Sequence, residues 1–511
     1  NKDFGNHHFK VMAGFNQESS YQETLDTYSY NQAVLDVPAM SSGTGTIKAT
    51  DSYSEYAIRG GFFRVNYNYL DKYLLEVNGR YDGSSKFPKS SRFGFFPSVS
   101  AGWQIAQERF MNSTRHWLDG LKLRASYGVI GNQNINPYTF TPSMSVNNKA
   151  TSWIIDDTYV TSISSLPALV SQNFTWEKVG TINVGLDVNL FNNRLSGVFE
   201  WYQRNTNGML APGVQLPAVV GASAPYQNTA DMRTRGWELS LNWRDQIGKV
   251  GYRIGFNLSD YKSEIIKYDD NAATKLLSSY YPGQTLGEIW GYVVDGYYTV
   301  DDFVDTSSWQ LKEGVTSING YNVRPGDVKF KNLRDDDTST NVITSGDNTF
   351  DNPGDRKVIG NTTPRYQYGI NLGMNYAGFD LNVILQGTGK RDYWISNVLT
   401  FPMNGDNFVP LFEGLSDYWM PKDPDNGDWS AVNPNAKYPR IYGNRGNSGS
   451  NLRQSDKYLS DASYLRIKNI TLSYKLPKKW VNQIFLNQMK AFVSIENVAT
   501  FTSLPSGIDP E

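Results

Sequence analysis

The residues that most often do chemistry in proteins are scarce in this chain. It has no cysteine, and its only histidines are His7, His8 and His116. His7 and His8 are adjacent in a strand-like segment, so their side chains point to opposite faces and do not form a paired-ligand site. The fragment LQGTGKR resembles a phosphate-binding loop, but Ile384 stands where the first glycine belongs and Arg391 where serine or threonine belongs. No HExxH or GxSxG motif is present. The sequence therefore predicts that the chain is not an enzyme and has no cofactor.

One acidic segment contains oxygen ligands that suit a hard cation. The candidates for a structural Ca²⁺ or Mg²⁺ site are Asp335, Asp337, Asp351 and Asp355, in the segment from Pro325 to Gly360. The run of aspartates lacks the glycine turn of an EF-hand loop, and Asn and Thr replace the later ligands. A solvated acidic loop is the competing interpretation.

Aromatic residues are concentrated in the segments between the predicted strands. Flat rings suit the apolar faces of sugars, and they also suit hydrophobic contacts with a partner protein. Simple packing of the loops against one another is the alternative. The candidates for substrate contact are Trp153, Trp176, Tyr280, Tyr281, Trp290, Trp394, Trp419 and Trp429.

The elements that must position these residues alternate between apolar and polar side chains. In RVNYNYLDKYLLEVNGRYDG, for example, apolar residues occupy every second position of each strand-like part, and charged or amide residues occupy most positions between them. We call these two sets of alternate positions the apolar and the polar parity. Ten segments alternate cleanly, which indicates β-strands, and their apolar parities contain no Asp, Glu, Lys or Arg. They are Phe63–Tyr69, Tyr73–Tyr81, Pro97–Ile105, Leu121–Val129, Ile182–Leu190, Leu195–Trp201, Trp237–Trp243, Tyr252–Leu258, Tyr366–Tyr376 and Phe379–Leu385. Three noisier segments, Phe9–Phe15, Tyr464–Tyr474 and Met489–Asn497, raise the count to thirteen, with a bulge expected near Asn469.

Two features favour a membrane-spanning barrel over a soluble sandwich. A lysine or arginine on a lipid-facing strand costs about 2–4 kcal/mol at the bilayer centre, which explains the charge-free parity. We expect strands of about 9–11 residues, the length that a tilted strand needs to cross a bilayer.

The connections alternate between short turns, such as Phe191–Arg194, and long loops, such as Asp260–Arg365. This pattern is typical of outer-membrane barrels, whose short turns are periplasmic and whose long loops are extracellular.

The charges on the opposite parity would then face an enclosed lumen. Arg64, Glu76, Arg80, Arg124 and Glu200 are the main candidates. They could line an open route through the lumen, but we favour contact with protein that fills it, because a filled lumen must satisfy its buried charges.

The composition agrees with such a barrel. Aromatic residues make up 14% of the 511 residues, whereas hydrophobic residues as a whole make up only 39%. The net charge of −2 implies no general attraction to nucleic acid. No apolar run is long enough for a membrane-spanning helix, which needs about 18 residues.

Several segments resemble those of SusC-like TonB-dependent transporters. They are DKYLLEVNGRYDGSSKF, RFGFFPSVSAGWQIAQERFM, LKLRASYGVIGNQNI, TWEKVGTINVGLDVNLFNNRLSGVFEWYQRNT, RTRGWELSLNW, SDASYLRIKNITLSYKLP and SIENVATFTSLPSGIDPE. The resemblance implies an all-β fold, a transmembrane antiparallel β-barrel of about 22 strands with a plugged lumen. It also implies that residues 1–511 are the C-terminal part of that barrel, with the plug, the N-terminal strands and one final strand lying outside this chain. Relatives often carry an EF-hand-like run in the acidic loop described above, from which this sequence departs.

The same resemblance implies a function and its partners. Such transporters import a nutrient across the Gram-negative outer membrane, most often an oligosaccharide, using energy delivered by TonB through the plug. A SusD-like surface lipoprotein caps the barrel as a lid. The open alternatives are an oligopeptide importer of the same fold, a surface adhesion barrel without transport, and a soluble β-rich carbohydrate-binding protein.

Overall fold

The structure is a computed structural model of the 511-residue chain. It describes all residues except 1, 35, 37–38, 144–145, 148–153, 156–157, 160–162, 165–168, 172–173, 272, 278–279, 335–340, 397–400, 402–410 and 443–448.

Fourteen strands form one antiparallel sheet in which neighbours in sequence are also neighbours in space. All thirteen predicted strands are present, and the additional one is the three-residue strand β1. The strands are β1 Lys2–Phe4, β2 His7–Ser29, β3 Ile47–Tyr69, β4 Tyr73–Ser84, β5 Phe93–Gln104, β6 Leu118–Asn132, β7 Glu177–Leu190, β8 Leu195–Pro212, β9 Tyr226–Ile247, β10 Val250–Tyr268, β11 Arg365–Tyr376, β12 Phe379–Lys390, β13 Tyr464–Lys475 and β14 Lys490–Thr502. We call this sheet the wall.

The lengths of the strands correct one expectation. Most exceed the predicted 9–11 residues, and β2 and β3 each run for 23 residues and pair along their whole length, from His7 with Tyr69 to Ser29 with Ile47. Alternation marks only the part of a strand with one face in lipid. Where both faces meet water, as at the outer ends of β2 and β3, the pattern fades although the backbone ladder continues. The expected bulge is present, because the register between β13 and β14 shifts between Ile467 and Asn469.

The apolar parity of the wall is not a dry core. Leu75 is 41% exposed, and Tyr67, Leu186 and Ile370 are only partly buried. The largest fully buried side chains among the described residues lie outside the sheet. They are Tyr281, Tyr298, Phe87, Phe174, Phe330, Ile343, Leu415, Val328, Val481, Asp327, Asp355 and Pro325. A single sheet with one exposed apolar face is the arrangement expected of a barrel wall in lipid.

The connections segregate by length to the two ends of the wall. One end carries the turns between β1 and β2, β3 and β4, β7 and β8, β9 and β10, and β11 and β12. The connection between β5 and β6, which is intermediate in length, lies at the same end. It folds into two 3₁₀ turns, Ile105–Gln107 and Arg109–Thr114. The connection between β13 and β14 also lies there. It contains the α-helix Lys478–Val481, and the described residues include no helix that is long and apolar enough to cross a membrane.

The opposite end carries the long connections, and residues 269–364 and 391–463 build most of a loop layer there. Short two-stranded ribbons give this layer its order. The pairs are Glu288–Tyr292 with Arg356–Asn361, Val294–Tyr297 with Val328–Phe330, Ser317–Ile318 with Val342–Ile343, Asp392–Trp394 with Leu459–Asp461, and Pro421–Asp423 with Asp428–Ala431. Residues 133–176 contribute Val146–Asn147 with Ile163–Ser164, and Ile154–Ile155 with Thr158–Tyr159. Buried clusters rich in aromatic residues hold the layer together, the largest around Tyr298, Phe303 and Phe330.

Candidate functional site

The polar face of the wall carries ion pairs that run across several strands. Arg124 on β6 donates to Asp187 on β7 at 3.0 and 3.1 Å, and it also donates to Glu200 on β8. The amide of Asn183 donates to the second oxygen of Glu200 at 3.1 Å. One guanidinium therefore ties three adjacent strands together.

A glycine makes this reach possible. Gly185 lies between Arg124 and Glu200 in the register of the three strands. A Cβ atom at Gly185 would lie 2.8 Å from the guanidinium carbon of Arg124, so the side chain crosses where the intervening strand has none. Arg253 crosses Gly373 in the same way to reach Asn382 on β12 at 3.2 Å. Reasoning from the sequence missed this device, because such a glycine lies beside an arginine only once the strands are paired.

The other predicted lumen residues lie on the same face. Arg64 donates to Asn78 at 2.6 Å and lies 3.7 Å from Glu76, and Arg80 pairs with Asp82 at 3.0 Å. All five predicted charges, Arg64, Glu76, Arg80, Arg124 and Glu200, therefore find partners within the wall itself. Their contact with a plug stays a prediction.

Two hollows on this face have volumes of about 650 and 740 Å³. The first lies beside Asn66, Glu76, Lys122 and Arg124, and the second lies beside Arg64, Asn78, Arg80 and Asp82. Both are lined by a mixture of polar and apolar side chains, such as Phe62 and Leu75, and their amide, hydroxyl and charged groups offer hydrogen bonds to an occupant.

Four of the predicted aromatic residues are buried in the connections. Trp176 packs against Phe87 and donates to the carbonyl of Arg92 at 2.8 Å. Trp290 donates to the hydroxyl of Tyr281 at 3.0 Å, and Trp419 is also buried. In this conformation these rings support the loops and present no free face to a ligand.

The remaining aromatic candidates are more accessible. Tyr280 is 47% exposed, and Trp429 is half-buried, with the guanidinium of Arg440 4.9 Å from its ring centre and Trp309 packed edge-on at 5.1 Å. Trp394 packs against Phe401 within a loop cluster. The predicted residue Trp153 lies outside the described residues.

The amino-acid sequence matches a known family. The profile described as "TonB dependent receptor-like, beta-barrel" matches residues 1–498. The chain belongs to this family. The SusC-like resemblance is confirmed by curated relatives, and with it the β-barrel fold class. TonB-dependent receptor P3 of Formosa agariphila is 28% identical over 531 residues, covering 100% of this chain and 48% of that receptor. The TonB-dependent receptor SusC of Bacteroides thetaiotaomicron is 26% identical over 527 residues, covering 100% of this chain and 46% of SusC.

Solved structures support the same fold for the receptor. The RagAB peptide importer in its closed-closed state aligns with a TM-score of 0.77 at 22% identity, covering 100% of this chain and 51% of that one. The chain thus spans about half the length of the relatives that it matches. The family implies an outer-membrane β-barrel, and it consists of receptors and transporters, which agrees with the prediction that the receptor is not an enzyme.

Within the loop layer of the receptor, a buried carboxylate joins two connections that are far apart in sequence. Asp327 is only 1% exposed and accepts hydrogen bonds from the hydroxyl of Tyr442 at 2.8 Å and from the amide of Asn451 at 2.9 Å. Asn451 in turn accepts from the backbone nitrogen of Val328 at 2.8 Å. Desolvation raises the pKa of Asp327 despite these donors. Residues 269–364 and 391–463 are therefore locked together at this point.

Two of the predicted metal ligands lie within the described part of the chain. Asp355 is buried and accepts from the backbone nitrogens of Leu333 and Thr344, at 2.8 and 2.7 Å, so its carboxylate organises the loop. Asp351 is exposed, whereas Asp335 and Asp337 lie outside the described residues. Among the residues that the structure describes, no group of three or more acidic or histidine side chains could together hold a metal ion. A Ca²⁺ or Mg²⁺ site here stays a prediction.

Proposed function

We propose that the receptor is the C-terminal barrel portion of an active importer that takes up an oligosaccharide across the outer membrane. The family match over residues 1–498 carries the transport part of this proposal. The coverage of relatives, between 46% and 49% of their lengths for the four curated matches, supports the expectation that a plug and further strands lie elsewhere in a longer protein. Energy from TonB would reach the barrel through that plug.

The polar face supports a sugar as cargo. Asn66, Asn78 and Asn183 alternate with the carboxylates of Glu76 and Glu200 along the enclosed side of the wall. Planar amide and carboxylate groups match the many hydroxyls of a glycan, each of which both donates and accepts a hydrogen bond. At the loop end, the accessible rings of Trp429 and Tyr280 could stack on the apolar face of a sugar.

The loop layer supports a lid as partner. Its connections expose apolar side chains that water solvates poorly, including those of Val214, Val219, Leu277 and Val432. Such exposed side chains offer apolar contacts to a partner protein. A SusD-like lipoprotein seated on the long loops would cover it, and the curated likeness to SusC supports that partner.

An oligopeptide is the competing cargo. The observation that favours it is the fold similarity to a structure named as a peptide importer. Because that similarity is at 22% identity, it supports the shared fold and leaves the choice of cargo to experiment.

The test uses the full-length receptor co-purified with its lipoprotein. Calorimetry with panels of oligosaccharides and oligopeptides should give saturable binding to an oligosaccharide, and Trp429→Ala should weaken that binding by up to about tenfold, the scale of one aromatic contact. Trp480→Ala, at the opposite end of the wall, is the matched control and should leave the affinity unchanged. Binding of peptides alone would refute the sugar and keep the importer. Loss of the receptor with no effect on uptake of any nutrient would refute transport itself.

A further inference from the structure

The connection between β13 and β14 differs from the other turns at its end of the wall. Residues 475–490 read KLPKKWVNQIFLNQMK, and we call them the lysine turn. The α-helix Lys478–Val481 and a 3₁₀ turn, Asn482–Ile484, close it, with Leu476 donating from its backbone to Met489 at 3.0 Å. The side chain of Val481 is buried, at 1% exposure. The turn is therefore a folded element with a defined outer surface.

That outer surface is apolar and aromatic. Phe485 is 98% exposed and Trp480 is 58% exposed, and Leu486 is exposed beside them. Phe485 adopts a left-handed backbone conformation, with φ of 60°, which is unfavourable for a residue with a side chain. Phe485 therefore combines an unfavourable backbone conformation with an exposed ring. Such features persist where the surrounding structure imposes them, which is often at functional sites.

The same surface is positively charged. Lys475, Lys478, Lys479 and Lys490 are all exposed, and the turn contains no Asp or Glu. Across the described part of the chain, none of these four ammonium groups forms an ion pair within 4.0 Å. The connection 105–117 offers a contrast, because its Glu108 pairs with Lys72 at 3.1 Å. A local charge of +4 on a chain whose net charge is −2 is a concentrated patch.

The lysine turn lies at an end of the wall that exposes other apolar side chains. It follows β13, whose Leu472 belongs to the exposed apolar parity. Neighbouring connections at the same end expose Phe110, Phe191 and Ile247. Aromatic and apolar side chains at a barrel rim lie at the level of the lipid headgroups, where lysine ammonium groups meet lipid phosphates.

We propose that the lysine turn docks on the phospholipid surface at the short-turn end of the barrel and selects anionic headgroups. Trp480 and Phe485 insert among the acyl chains just below the headgroups, while Lys478 and Lys479 bind lipid phosphates. Apolar insertion and charge attraction reinforce one another at such an interface. This assignment does not depend on the cargo, so it goes beyond the proposed function. It could be refuted while the proposal of an importer still stands.

The absence of cysteine from the 511 residues makes the test direct. In the full-length receptor, with any other cysteine replaced, a bimane dye is attached at Gln483→Cys, an exposed position within the turn. The protein is reconstituted into phosphatidylethanolamine vesicles that contain one quarter phosphatidylglycerol. Either the ethanolamine lipid or the glycerol lipid carries brominated chains, which quench the dye on contact. The ratio of the two quenching efficiencies gives the relative affinity of the site for the anionic lipid.

We expect a several-fold preference for phosphatidylglycerol. Lys478→Gln and Lys479→Gln should each remove most of that preference, because one lysine near an anionic surface contributes about fivefold in affinity. Lys249→Gln, in the turn between β9 and β10, is the matched control and should leave it unchanged. Phe485→Ser should reduce quenching by both lipids, and a retained heat-dependent shift on gels shows that each variant still folds as a barrel.

Two results would overturn the proposal. Equal quenching by both lipids in the unsubstituted turn would remove the selection of anionic headgroups. A dye that neither lipid quenches would place the turn in water or against another part of the receptor, such as the plug.

Discussion

The wall and the loop layer use similar residues in opposite ways. In the wall, aromatic and aliphatic side chains such as Leu75 and Val77 point outward and stay exposed, while charges such as Arg124 pair on the other face. In the loop layer, Tyr281 and Phe330 are buried, and the carboxylate of Asp327 is buried with them. The wall is thus apolar outside and polar inside, whereas the loop layer has the pattern of an ordinary soluble protein.

This difference follows from the solvent that each region meets and from how each satisfies its backbone. Strands in the wall pair along their length, so the side chains are free to match lipid on one face and the lumen on the other. In the loop layer the described ladders are short two-stranded ribbons, and much of the backbone between them is irregular. Side chains therefore satisfy part of the backbone there. The carboxylate of Asp355, for example, accepts hydrogen bonds from two backbone nitrogens.

The largest effect should come from placing a charge on the lipid face of the wall. Val77 is central among the apolar residues of β4 and pairs with Val65 and Val99. Val77→Arg should destabilise the full-length barrel by about 2–4 kcal/mol in a urea titration in lipid, because the guanidinium would lie in hydrocarbon. Ser126→Arg, on the polar face, should cost much less. Equal losses for both variants would erase the distinction between the two faces.

A smaller effect should follow from crowding the loop layer. Gly326 has a φ of 90°, and a Cβ atom there would lie 2.2 Å from the ring of Trp419. Gly326→Ala should lower the opening free energy of residues 269–364 by about 1–3 kcal/mol, measured by amide hydrogen exchange, without weakening the wall.

Gly320→Ala separates packing from backbone strain in that experiment. Gly320 has a similar φ of 79°, but nothing lies within 4 Å of its added Cβ. The Gly320→Ala variant should therefore show the effect of backbone strain alone, with a smaller loss of protection from hydrogen exchange. Equal losses for Gly320→Ala and Gly326→Ala would mean that contact with Trp419 contributes nothing.

The smallest effect should come from the polar face of the wall. Gly185→Ala should displace Arg124 from its path to Glu200 and cost about 1 kcal/mol in the same urea titration, since these hydrogen bonds are only partly shielded from water. Gly180→Ala on the same strand meets no atom closer than 3.8 Å and should be neutral. A neutral Gly185→Ala would show that the bridge across β7 does not stabilise the wall.

The sequence predicted the wall well because its determinants are local. Clean alternation with a charge-free parity identified ten of the long strands, noisier alternation identified three more, and the slip near Asn469 identified a bulge. The ends of β2 and β3 escaped prediction because both of their faces meet water there. The crossing of Gly185 by Arg124 required the register of three strands, which no single strand reveals.

The loop layer could not be predicted because its contacts join distant residues. Asp327 meets Asn451, 124 positions away, and nothing near either residue indicates the other. For the same reason, aromatic content alone did not separate the buried rings of Tyr281 and Trp419 from the accessible ring of Tyr280. The sequence around a buried ring does not differ in a recognisable way from that around an accessible one, so only the folded structure distinguishes them.

The most direct test of the central claim is a spin-label scan of adjacent positions in the wall of the full-length receptor in lipid. Single cysteines replace Tyr67, Leu75, Leu186 and Ile370, and a second set replaces their neighbours Asn66, Glu76, Asp187 and Asn371. The first set should collide freely with oxygen dissolved in the bilayer and poorly with a water-soluble nickel complex, and the second set should not share that lipid signature. If the first set were shielded from both reagents, these residues would form the dry interior of a packed protein, and the barrel assignment would be wrong.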